Sequence, residues 1–132
     1  MTTTTAIHAL IKAALVSAGV NAVDGPANDL PTDGGLIAQA AVLWPFPRAY
    51  AYTRSNGTSS GGTDRVVIHC VGATVRDALA VADKVEAAIG GMVTSDKGGT
   101  LRQTAATQPA PEPNADPVRV SLAVEYTTVT KG

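Results

Sequence analysis

The sequence predicts an α+β domain in which a mostly antiparallel sheet of four strands packs against two helices. The predicted order is α-β-β-β-α-β, with long flexible loops. Two segments carry apolar residues at helical spacing, and four carry apolar runs or alternation of strand length. The intervening segments are rich in glycine, proline, serine and threonine, which is typical of turns. A length of 132 residues fits a single domain, residues 1–132.

The first predicted helix begins near Thr4 or Thr5, where a hydroxyl can accept a hydrogen bond from a free amide of the first turn. Gly19 follows at the position where a helix end often needs a left-handed residue. Apolar residues recur between them at helical spacing and share one face: Ile7, Leu10, Ile11, Ala14, Leu15 and Ala18. We therefore expect an amphipathic helix.

Three strands are predicted next. Residues 36–44 and 48–54 form the first two, separated by a break that contains two prolines. Residues 55–64, SNGTSSGGTD, have the composition of a flexible loop and lead into a third strand, RVVIHCV, at 65–71. Both faces of that third strand are mostly apolar, which favours a central strand covered on two sides.

The second predicted helix begins at Thr74, with Asp77 three positions later as a weak capping box. It ends at the glycine pair 90–91. Its predicted inner face consists of Val75, Ala78, Leu79, Ala82, Val85 and Ile89.

Residues 94–117 are polar and contain four prolines, which predicts a second flexible loop. The closing segment, PVRVSLAVEYTTVT, alternates between apolar and other residues and predicts the fourth strand. Its apolar side comprises Val118, Val120, Leu122, Val124 and Tyr126. The opposite side is expected to face water or a partner.

His69 and Cys70 invite a catalytic interpretation. Adjacent side chains on a strand leave opposite faces, so the two cannot act together as base and nucleophile. Two histidines and one cysteine without ligand spacing also disfavour a metal site. None of the glycine pairs matches a phosphate-binding loop. We predict no catalytic, cofactor-binding or metal-binding residue, and hence no enzyme.

The charge balance excludes other classes of function. Ten basic and eleven acidic residues give a net charge of −1, so strong direct binding of nucleic acid is not expected as the main task. No apolar run approaches the roughly 18 residues of a membrane span, and the N-terminus lacks the pattern of a signal peptide. The single cysteine suits a reducing cytoplasm.

Six charged residues are candidates for contacts with a partner. The arginines at strand ends and in loops are interpreted first as solvated charges, and alternatively as contacts to an acidic partner or to passing nucleic acid. Glu86 interrupts the predicted apolar face of the second helix. It either reaches water from the last turn or pairs with an arginine, such as Arg119 or one from a neighbouring subunit. The candidate interface residues are Arg48, Arg54, Arg65, Glu86, Arg102 and Arg119.

The segment RVVIHCVGAT followed by VRDALAVADKVEAAIGG resembles the strand-to-helix core of the phage tail terminator, or tail-completion, family of minor tail proteins. FPRAYAYTR resembles the family's proline-flanked strand, and VRVSLAVEYTTV its closing strand. The resemblance covers roughly residues 5–128. It rests on the order of the secondary-structure elements and on the residue pattern within them. The proline-rich stretch at 94–117 departs from the family pattern.

This resemblance implies a structural virion protein. Six copies would form a ring at the head-proximal end of the tail tube, end tube growth and join the tail to the neck. The implied partners are the major tail tube protein and a head–tail stopper, with DNA passing through the lumen without specific binding. Assembly would take place in the cytoplasm of the bacterial host, with no membrane involved. Another head–tail joining protein, or a small ligand-binding or enzymatic α/β domain, remains as an alternative.

Overall fold

Two helices cover one face of a mixed β-sheet, and the core lies between them. This computed structural model describes residues 3–26, 30, 32–52, 59–95, 98–112 and 118–131. The helices are α1 (Thr4–Ser17) and α2 (Val75–Ile89). The strands are β1 (Ala22–Asp24), β2 (Thr32–Asp33), β3 (Leu36–Ile37), β4 (Ala40–Pro45), β5 (Ala49–Tyr52), β6 (Ser59–Gly72), β7 (Val93–Ser95), β8 (Gly98–Thr100), β9 (Arg102–Ala106), β10 (Ala110–Pro111) and β11 (Val120–Lys131).

The α+β class with two helices is confirmed, but the predicted four-stranded, mostly antiparallel sheet is wrong. Within the described residues the main sheet has seven strands in the order β1-β4-β6-β11-β10, with β5 also paired to β6 and β9 also paired to β11. The β1–β4 pair is parallel, so the sheet is mixed. Strands β2 and β3 form a separate hairpin, as do β7 and β8.

The additional strands lie largely in segments that were predicted to be loops. Strand β6 already begins at Ser59, inside the predicted loop 55–64. Strands β8, β9 and β10 lie inside the predicted loop 94–117, and all five residues of β9 are exposed. The hydrogen bonds between strands are made by backbone groups. An edge strand can therefore form without alternating apolar residues, and its sequence is hard to tell from that of a loop.

Helix α1 begins at Thr4, as predicted, but its capping hydroxyl belongs to the preceding residue and not to Thr4 or Thr5. Thr3 is its N-cap, and the Thr3 hydroxyl accepts a hydrogen bond from the Ala6 amide at 3.1 Å. Gly19 has φ +83°, which confirms the left-handed residue after the helix. Leu10 was placed on the inner face but is 47% exposed. The residues of α1 that reach the core are Ile7, Ile11 and Leu15.

Helix α2 has the predicted cap, because the Thr74 hydroxyl accepts a hydrogen bond from the Asp77 amide at 3.2 Å. Its inner face is rotated from the prediction: Val75 and Leu79 are 49% and 46% exposed. A Cβ atom at Gly72 would lie 2.8 Å from the Ala78 nitrogen, so the first turn sits directly on that backbone. The buried residues of α2 are Ala78, Val81, Val85 and Ile89.

The main core fills the space between the helices and the inner face of the sheet. The sheet contributes alternate residues of β6 and β11, including Ile68, Cys70, Leu122 and Val124, which are at most 4% exposed. Leu101, between β8 and β9, is 1% exposed and joins the same cluster. The segment containing β8 and β9 is therefore part of the folded structure.

A buried ion pair ties α1 to the sheet. The Asp64 carboxylate accepts hydrogen bonds from Arg48 Nε at 2.9 Å and from the Thr4 hydroxyl at 2.8 Å, and Arg48 Nη2 lies 2.8 Å from the same carboxylate. The side chains of Arg48 and Asp64 are 1% and 5% exposed. A buried charge is costly without such partners. This contact therefore constrains the start of α1, the segment before β5 and the middle of β6 together.

We expect Asp64→Asn to lower the free energy of unfolding by about 3 kcal/mol, because it removes the carboxylate that Arg48 contacts inside the protein. Urea denaturation measures the change. The matched control is Asp24→Asn, whose carboxylate is 54% exposed and contacts His8 at 2.7 Å and Lys12 at 3.1 Å. These contacts of an exposed carboxylate should contribute about 1 kcal/mol or less. Equal effects of the two substitutions would contradict this account.

Candidate interaction surface

His69 and Cys70 leave opposite faces of β6, as predicted. Cys70 is fully buried in the main core, and burial raises the pKa of its thiol to about 12. His69 lies half-buried on the other side of the sheet. Within the described residues, no three His, Cys, Asp or Glu side chains are grouped so that they could hold a metal ion. Neither described helix is long and apolar enough to cross a membrane.

The sheet face opposite the helices is called the open face here. Three strands run through it in register: Trp44 of β4 pairs with Val67 of β6, which pairs with Glu125 of β11. The neighbouring row consists of Val42, His69 and Ala123. Because side chains alternate along a strand, each of these rows projects away from the helices.

A second apolar cluster covers one end of the open face. Leu30, before β2, and Ile37 of β3 pack with Ala40, Val42 and Val71. Beyond this cluster the described part of the chain leaves the face partly exposed. Trp44 is 40% exposed and Phe46 is 36% exposed. The prediction that both faces of β6 are covered is therefore correct only at one end of the strand.

A charged and aromatic group occupies the uncovered end. The Arg65 guanidinium lies 4.3 Å from the centroid of the Phe46 ring, and Arg65 Nε is 3.2 Å from Glu125 Oε1. The Phe46 amide donates to the Arg65 carbonyl at 2.9 Å, which fixes the two residues side by side. The Arg65 side chain still exposes 47% of its surface. This group combines an apolar ring with an accessible positive charge.

A groove of about 240 Å³ lies between the covered and uncovered parts of the open face. Trp44 forms one wall, and its indole ring lies flat against Gly25, where an added Cβ would be only 2.3 Å from the ring. The Glu112–Arg119 ion pair borders the groove, with 2.5 Å between Glu112 Oε2 and Arg119 Nε. The groove thus combines apolar walls with the polar side chains of His69, Glu112 and Arg119.

The six candidate interface residues do not form one surface. Arg48 is buried against Asp64, and Arg119 pairs with Glu112. Arg102 is exposed on the edge strand β9, and its Nε donates to the Thr100 hydroxyl at 3.4 Å. Arg54 lies outside the described residues. Arg65 and Glu86 remain as exposed residues on the two opposite sides of the molecule.

Glu86 has a partner that the sequence analysis missed. The hydroxyl of Tyr126, which is 0% exposed, donates to Glu86 Oε2 at 2.5 Å and lies 3.3 Å from Gln103 Oε1. Burial, and then the hydrogen bond to Glu86, raise the pKa of Tyr126. The phenol is therefore held protonated as a donor. A buried tyrosine hydroxyl requires a hydrogen-bond partner. The sequence predicts Tyr126 on the inner side of the last strand, so the need for such a partner could have been predicted.

We expect Tyr126→Phe to lower the free energy of unfolding by about 2 kcal/mol, because it removes a hydrogen bond to a charged group and keeps the ring. Thr94→Val is the matched control, since it removes bonds between neutral groups: the Thr94 hydroxyl lies 2.9 Å from the Thr128 hydroxyl and donates to the Gly99 carbonyl at 3.3 Å. That loss should be smaller, about 1 kcal/mol. Urea denaturation compares the two variants. A Tyr126→Phe protein as stable as the original would refute the role given to this bond.

Comparison with known proteins gives a match at the level of fold. Neither a protein-family model nor a curated protein matches the sequence. A chain from the virion of a native gene transfer agent particle has a similar structure, with a TM-score of 0.59 and 17% sequence identity, over 98% of this chain and 94% of that chain. A second solved structure has a TM-score of 0.58 and 15% identity, over 100% of this chain and 98% of that one. The whole chain thus shares the fold of a virion component.

Proposed function

We propose that this chain is a structural protein of a phage-type virion and acts as a tail terminator. The observation that carries the proposal is the similarity of fold, along nearly the full length of both chains, to a chain of a gene transfer agent virion. The sequence resemblance of the β6–α2 segment and the closing strand to tail terminators supports the same role. At this level of identity the fold alone is shared, so the role itself is our inference.

The surface of the chain suits a subunit of an assembly. The open face leaves Trp44 and Phe46 partly exposed, and α2 leaves Val75 and Leu79 about half exposed. Apolar patches of this kind commonly mark contacts between proteins. The groove beside Trp44 has few polar groups: one ion pair and one histidine lie among apolar walls. These features favour an assembly component over an enzyme.

In this proposal six copies form a ring at the head-proximal end of the tail tube. One side of the ring binds the last layer of the major tail tube protein and ends its growth, and the other side binds a head–tail stopper. DNA passes through the central opening. A chain with a net charge of −1 suits such a passage, because phosphate contacts would otherwise retain the DNA.

Two other functions remain distinguishable from this one. A stopper or connector, one layer nearer the capsid, is compatible with the same similarity of fold. A small ligand-binding domain is favoured by one observation, the groove of about 240 Å³ on the open face. A stopper would bind a completed tail end and not a growing tube, whereas a ligand-binding domain would act as a monomer without either contact.

The direct test adds the purified chain to tube protein from the same virus during polymerisation. We expect shorter tubes of more uniform length, each with a ring of six-fold symmetry at one end in electron micrographs. Chain unfolded by heat before addition serves as the control. Tubes that grow to the same lengths and carry no extra density would overturn the proposal. Binding only to tails that already carry a terminator would favour the stopper.

A further inference from the structure

We infer that the open face of one copy is covered by the outward face of helix α2 from the next copy. This inference rests on the proposed function and deepens it by assigning the subunit contact of the ring. The outward face of α2 is defined here by Val75, Leu79, Arg76 and Asp83, which are all exposed. The occupant of the open face is therefore a second copy of this chain.

Within the described residues, the open face lacks a second layer that would cover its apolar side chains. The inner face of the same strands is sealed by α1 and α2, while the described cover on the other side is the cluster around Leu30 and Ile37. A sheet with apolar residues on both faces is stable when each face packs against another element. Val67, Trp44 and Phe46 occupy the part without such an element. A helix from outside would complete the layer.

The outward face of α2 has the complementary composition. Val75 and Leu79 lie one helical turn apart and expose 49% and 46% of their surfaces. Both were expected inside the core, and the rotation of the helix brings them to the surface. Arg76 and Asp83 flank them, and neither forms an ion pair within the described part of the chain. This face is an apolar stripe with charges beside it that have no partner there.

One charged group on each surface can pair with the other across the contact. The open face presents Arg65 beside the Phe46 ring, where Arg65 Nε also lies 3.2 Å from Glu125 Oε1, and α2 presents Asp83 beside Leu79. In the contact that we infer, Leu79 packs on the aromatic residues and Asp83 approaches the exposed part of Arg65. An apolar centre with oppositely charged groups at its margin is typical of specific interfaces.

The position of the two surfaces determines the kind of assembly. Helix α2 covers one side of the sheet, and the open face is the other side of the same sheet. A contact between two different surfaces of the same molecule is heterologous, so it passes from copy to copy instead of ending at a dimer. Such a contact closes into a ring when the rotation between copies is suitable. A ring of six copies requires a heterologous contact of this kind.

Cross-linking between variants that each carry one added cysteine tests the contact. Phe46→Cys and Leu79→Cys proteins are mixed, with and without tail tubes, and treated with a short bis-maleimide; Arg65→Cys with Val75→Cys is a second pair. We expect the mixtures to yield several-fold more cross-linked dimer than either variant alone, because the contact joins two different surfaces. The native Cys70 is fully buried and does not contribute. Val16→Cys with Val93→Cys, at positions 57% and 66% exposed, is the control pair.

Each result has a definite meaning. Cross-linking in both test mixtures but not in the control mixture supports the inference. Equal yields in test and control mixtures, or strong cross-linking of one variant with itself, would overturn it. If rings form on tubes while neither test pair reacts, another partner covers the open face, and the inference fails while the proposed function stands. If no copies associate and no tube is bound, the proposed function is wrong, and the inference that rests on it is wrong as well.

Discussion

The register of strand β6 is the constraint on which the rest of the structure depends. The strand lies between β4 and β11, and its side chains alternate between two unequal environments. Ile68 and Cys70 are fully buried beneath the helices, whereas Arg65, Val67 and His69 lie on a face that the described residues cover at one end. A shift of one residue would exchange the two sets, which fixes the register firmly. The same alternation separates histidine from cysteine and leaves a surface available for contacts.

The buried carboxylate of Asp64 and the buried hydroxyl of Tyr126 are satisfied by other parts of the same chain. Asp64 accepts from Arg48 and Thr4, and Tyr126 donates to Glu86. Since an isolated buried charge or hydroxyl would be costly, these contacts are best understood as part of folding. They remove Arg48 from the set of residues that can reach a neighbour. Of the candidate interface residues predicted from the sequence, Arg65 is exposed and lies beside the Phe46 ring on the open face, as suits a contact with a partner.

Helical spacing and caps predicted both helices, and strand alternation predicted that His69 and Cys70 diverge. Two kinds of feature left no comparable signal. Edge strands such as β9 pair through their backbones, so RQTAA looks like a loop although it pairs with β11. The rotation of α2 depends on its approach to Gly72, a tertiary contact that exposes Val75 and Leu79. Glu86 was noticed as a misfit, but its partner lies forty residues away on another strand.

The central claim is that the open face becomes covered when copies assemble. Trp44, the single tryptophan of the chain, lies on that face and is 40% exposed, so the unmodified protein carries its own probe. Acrylamide quenching of tryptophan fluorescence, in the free chain and in the chain bound to tail tubes without tryptophan fluorescence of their own, is the most direct measurement. The account predicts markedly weaker quenching in the bound state. Equal quenching in both states would show that the face stays open, and would contradict the claim.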